Sequence, residues 1–163
     1  MNIKSPTYKG LIISATLIAA SLIAYYPMHL PENGNSQYAI LFLFTMGLIW
    51  VLLDKKKQSK ETQPSLKAYF SEGFKAFIVI ALLMAVYTFI FYKLNPQIVE
   101  NGIAENNVLI RAQGNKTDAE IQENANKLRS IFMPMMLMLN TIKFLFLGSL
   151  ISLTIGGLLS QKK

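Results

Sequence analysis

Four long apolar runs separated by polar loops constrain this chain more than any other feature: Gly10–Met28, Tyr38–Leu53, Ala76–Tyr92 and Ile131–Ser160. At about 1.5 Å of rise per residue, each approaches or exceeds a hydrocarbon core about 30 Å thick. Only the last contains a charge, Lys143. Tyr38–Leu53 is the shortest, but the uncharged stretch reaches back to Asn33, so Tyr38 and Trp50 can lie near the two interfaces. The expected fold is therefore all-α, a single polytopic membrane domain over 1–163. Its four spans fall at about 10–28, 38–53, 74–92 and 131–160, arranged as two hairpins. A small helical extracytoplasmic segment is expected within the loop 93–130.

Charge orients the spans. Of the 16 lysines and arginines, 10 fall at the N-terminus, the middle loop and the C-terminus, which an even number of spans places on one side. The short loop Pro27–Gln37 has none, and short loops decide orientation. Both termini are thus expected in the cytoplasm and Lys93–Arg129 outside. The inner side carries +7, the outer side −1 and Lys143 the remaining positive charge, together the net +7 of the chain. Because the basic charge follows membrane sides and no aromatic-basic groove pattern accompanies it, no nucleic-acid partner is expected. Asp54-Lys55-Lys56-Lys57 resembles a stop-transfer anchor resting on anionic headgroups.

There is no cysteine, which removes disulfides, thiolate nucleophiles and thiolate metal sites. Gly10–Met28 is long and lacks a small-x-small cleavage site before Tyr25-Tyr26-Pro27, so it reads as an uncleaved first span. Ser65 is placed to cap an interfacial helix leading into the third span. Its apolar residues include Leu66, Tyr69, Phe70, Phe74 and Phe77, with Lys67 and Glu72 elsewhere around it and Gly73 as a bend. Outside, Asn95-Pro96 starts a short helix through about Glu105, and Asn106–Asn115 is expected to be irregular. Thr117-Asp118-Ala119-Glu120 is a capping box preceding the stripe Ile121, Ala125, Leu128 and Phe132, which is expected to pack with Ile98, Val99 and Ile103. Pro134 either kinks the following helix or starts a new one. A weak repeat at an offset of 66 aligns Ser5–Ile12 with Ser71–Ile78, and Tyr26 with Tyr92. Either a parallel pseudo-two-fold or a shared anchoring pattern where the first and third spans begin accounts for it.

Among candidate sites, Lys143 has the best claim to chemistry, because an ammonium inside a bilayer seeks a partner, a cavity or an interface. It lies 16 residues before Leu159, about 24 Å along a helix, in the outer part of the membrane, where its stem can snorkel to water. Asn140, one turn earlier, is a candidate polar partner. Gly148, Ser152 and Gly156 form a small ridge suited to close helix approach, with the first span or a second copy as the surface it meets. Met133, Met135, Met136 and Met138 read as packing residues, and His29 as a loop residue. No cofactor or metal is called for, and no spacing of acids calls for an enzyme.

The segment Tyr69-Phe70-Ser71-Glu72-Gly73-Phe74-Lys75 before the third span, Tyr92-Lys93-Leu94-Asn95-Pro96 after it, and the closing Leu150-Ile151-Ser152-Leu153 to Lys162-Lys163 resemble bacterial membrane proteins of domain of unknown function family 4199. The resemblance implies a four-span bacterial inner-membrane protein and assigns no residue a role. The expected function is that of an accessory protein meeting the lipid bilayer and a membrane-protein partner or another copy of itself. The alternatives are an oligomeric transport or channel component around Lys143 and Asn140, and an enzyme acting on lipid-linked substrates.

Overall fold

The computed structural model describes residues 5–28, 35–59 and 63–161. All regular structure among them is helical, in the order α1 (Pro6–Tyr25), α2 (Asn35–Gln58), α3 (Leu66–Leu94), α4 (Pro96–Gln113) and α5 (Asp118–Ser160). All but α4 are long and apolar enough to cross a membrane. In lipid the backbone must satisfy its own hydrogen bonds, so apolar runs of this length form helices. Four hydroxyls inside the spans are satisfied in the same way: Ser14, Thr16, Ser21 and Thr45 each donate to the carbonyl four residues earlier.

The chain divides into two compact units, residues 1–84 with 141–163, and residues 85–140. In the first, α1 turns Gly10, Ile13, Ser14 and Leu17 inward, and α2 turns Phe44, Leu48, Val51 and Leu52 inward. From α3 come Tyr69, Gly73, Ala76, Phe77 and Ile80, and from α5 Phe144, Gly148, Ser152 and Gly156. These are helical spacings, so each helix buries a single stripe. Small residues set the approaches. A Cβ on Gly10 would lie 2.8 Å from the Ala76 carbonyl oxygen, and one on Gly47 would lie 3.0 Å from Ile13. Gly10 and Ala76 are residues that the 66-residue offset aligns, and a two-fold axis between α1 and α3 would make such equivalents meet. Phe44 and Phe144 pack edge to face at 5.0 Å between centroids.

Several local expectations change. The interfacial helix and the third span are one continuous helix, Leu66–Leu94, capped by Ser65 Oγ accepting from Ala68 N at 3.3 Å. Gly73 is a point of close approach: a Cβ there would collide with Ser152 Oγ. The ridge Gly148, Ser152 and Gly156 meets α3 at Phe77, Gly73 and Tyr69, and not the first span, one of the two surfaces expected for it beside a second copy. The carbonyls of Leu159 and Gln161, at the end of α5, accept from Gln63 Nε2 at 2.8 and 2.9 Å, which supplies partners that a helix end otherwise lacks.

In the second unit, α4 runs on to Gln113 through the stretch expected to be irregular. It stops only at Gly114, whose φ of 68° belongs to the left-handed region favoured by glycine. Ile103 is the one residue of α4 that is buried, as are Ile121 and Ala125 on α5. Asn95 precedes Pro96 as expected, but its side chain makes no cap bond to α4. Its Nδ2 instead donates back to the Phe91 carbonyl at 2.8 Å, closing the end of α3. The capping box forms: Thr117 N donates to Glu120 Oε2 at 2.7 Å, and Glu120 N donates to Thr117 Oγ1 at 3.3 Å. Pro134 lies inside α5 and does not start a new helix.

Candidate functional site

An ionic layer crosses one end of the first unit, where α1 begins, α2 ends and α3 begins. Lys9 is 1 % exposed, yet its ammonium contacts an Asp54 carboxylate oxygen. Beyond that contact it has no hydrogen-bond acceptor among the described residues. The Trp50 ring lies 6.0 Å from the same Nζ, at the outer limit of a cation–π contact. Next to this pair, Lys55 Nζ lies 3.6 Å from Glu72 Oε2, on the buried side of α3. Two further polar atoms in the same unit, Tyr69 Oη and Ser152 Oγ, are buried with no hydrogen-bond partner among the described residues.

The layer follows from helical periodicity. Lys9 shares a stripe with Ile13 and Leu17, and Glu72 one with Tyr69, Ala76 and Ile80, so the faces that bury the core also carry these charges inward. Desolvated singly, each charge would be costly, which is why each needs an opposite charge from a neighbouring helix. The four residues escaped notice as a group because each, taken alone, suits a membrane anchor. The available signal was the i, i+4 placement of Lys9 and Glu72 on stripes of core residues.

The residues singled out from sequence lie apart from this layer, Ser152 and Gly156 excepted, which sit at the same end of the unit. Lys143 is half-buried, with Nζ 5.3 Å from the Phe144 ring centroid. In the second unit, Asn140 Nδ2 donates to Thr88 Oγ1, so Asn140 has a partner on α3. Met133, Met135 and Met136 are half-buried and Met138 is exposed. His29 lies outside the described residues. No group of three or more histidine, cysteine or acidic residues suited to a metal ion occurs among the described residues.

The second unit has its own charged contacts. Arg129 donates through Nε and an Nη to the two carboxylate oxygens of Glu100, at 2.7 and 2.6 Å, tying α5 to α4 bidentately. These bonds hold the Glu100 carboxyl below the usual glutamate range. Arg111 reaches Asp118 at 3.0 Å across the turn between the same helices. Val108 and Leu109, near the end of α4, are 66 % and 65 % exposed.

A family model described as a protein of unknown function (DUF4199) matches residues 8–161. No curated protein and no solved structure matches the chain.

Proposed function

The chain belongs to the DUF4199 family, described only as being of unknown function, and from that premise we propose that it is a bacterial inner-membrane accessory protein acting through contacts with another membrane protein. In this reading both termini are cytoplasmic, the four spans form two hairpins, and α4 with the start of α5 faces outward. The lysine-poor short loop and the lysine-rich middle loop support that orientation. The observation that carries the partner is the exposure of Val108 and Leu109 on α4, a helix outside the four membrane-length ones. Adjacent aliphatic side chains at such exposure on a polar helix are candidate anchors for another chain.

Co-purification from native membrane followed by mass spectrometry tests this reading. A specific membrane protein should accompany the unmodified chain and be lost from the Val108→Asp, Leu109→Asp variant at unchanged expression. The same set of proteins with both forms would overturn it. A second reading, an oligomeric transport or channel component around Lys143 and Asn140, is favoured by the position of Lys143 within a spanning helix. It requires solute flux that falls in Lys143→Leu.

A further inference from the structure

The end of the first unit that holds the ionic layer carries more positive charge than its acids neutralise. Asp54 and Glu72 are the only acids of that unit among the described residues, and Lys9 and Lys55 already engage them. Lys56 and Lys57 in the last turn of α2, and Lys67 and Lys75 in the first three turns of α3, are exposed and form no ion pair among the described residues. An excess of one sign at this end of the unit attracts counter-charge.

Their neighbours identify the source. On α2, Trp50, Leu53 and Lys57 follow one another at i, i+3 and i+7, and on α3, Lys67, Ser71 and Phe74 do so at i, i+4 and i+7. Trp50, Leu53 and Phe74 are 42 %, 42 % and 43 % exposed. Each stripe thus has a lysine near the helix end and a large apolar residue about two turns deeper, Trp50 on α2 and Phe74 on α3, on a helix of membrane-spanning length. On helices of that length, lysines near the helix end lie at the depth of lipid phosphates and the apolar residues about two turns deeper lie at that of the acyl chains. A phospholipid matches both, with phosphate against the ammonium groups and the first acyl carbons against the rings.

We propose that this end of the first unit gathers anionic phospholipid headgroups from the surrounding bilayer, with Lys56, Lys57, Lys67 and Lys75 as phosphate partners. The proposal draws on the first unit alone and is independent of the partner assigned to α4. The internal pairs Lys9–Asp54 and Lys55–Glu72 contribute by removing the carboxylates that would otherwise neutralise those four lysines within the protein.

Trp50, the single tryptophan, reports directly on the lipids beside this end. The full chain is reconstituted into vesicles mixing phosphatidylcholine and phosphatidylglycerol, with one or the other lipid brominated high on its acyl chains, and Trp50 quenching is followed against composition. The expected result is a preference for phosphatidylglycerol of about five-fold, the ratio equivalent to about 1 kcal/mol for one lysine at the surface. It should fall toward unity in 1 M salt, where the screening length is about 3 Å, and in Lys56→Gln, Lys57→Gln, while persisting in Lys93→Gln. Quenching that follows mole fraction equally for both lipids would overturn the proposal, as would a preference unaffected by the double substitution. Should the double variant fail to fold, the unmodified protein still decides, because a preference unchanged in 1 M salt excludes an electrostatic headgroup site.

Discussion

Lys9 sits between Tyr8 and Gly10, where local sequence suits a headgroup anchor, yet α1 turns it inward and makes it a buried cation dependent on Asp54. Truncating Lys9 to alanine should therefore destabilise the first unit. The loss should be smaller than the about 3–5 kcal/mol found when a wholly enclosed pair is broken, because the Asp54 side chain keeps 31 % exposure. Replacing both partners with apolar residues, Lys9→Met with Asp54→Leu, should give a protein more stable than either single variant, since no unpaired charge is left behind. Thermal unfolding of the four forms in one detergent checks this, and strictly additive losses would refute the coupling. Gly73 illustrates the same dependence on neighbours. Sequence shows a glycine near the start of a helix, while the structure shows it receiving Ser152 from α5.

At the scale of elements, α4 and the start of α5 are joined by Glu100 and Arg129, and the joint responds to pH in a definite direction. The folded-state pKa of Glu100 lies below its unfolded value, so the stabilising contribution is present above the ordinary glutamate pKa of about 4.3 and is lost as pH falls through the folded-state value. Hydrogen exchange of α4 should accordingly speed up on moving from neutral pH to the acid side of that range, after correction for intrinsic rates. Glu100→Gln should show faster exchange already at neutral pH and little further change in acid. An identical acid response in the variant would remove Glu100 from the account. The ends of α4 and α5 show which local signals the sequence makes legible. The Thr117–Glu120 box and Pro96 were legible because capping is settled within four residues. The extension of α4 to Gln113 was not, because Asn106 and Asn107 are weak helix formers and the stop at Gly114 lies beyond them.

For the whole molecule, the absence of cysteine makes topology directly measurable. With both termini inside, an impermeant thiol reagent applied to intact cells should label Asn115→Cys and spare Ser59→Cys until the membrane is opened. Labelling of Ser59→Cys in intact cells would reverse the orientation and, with it, the side on which α4 can meet a partner. Four membrane-length helices and an all-helical chain were determined by the sequence by itself, because hydrophobic length and the need to satisfy backbone polar groups in lipid are properties of each segment alone. Which stripes face one another was decided only by tertiary structure. The ridge of Gly148, Ser152 and Gly156 could have met any small or aromatic surface, and it meets α3. The pairing of Lys9 with Asp54 and of Lys55 with Glu72 was likewise out of reach, because a charge at a helix end can turn either toward headgroups or toward a neighbouring helix. Periodicity places such a residue on a face, and only the packing of the helices fixes what that face meets.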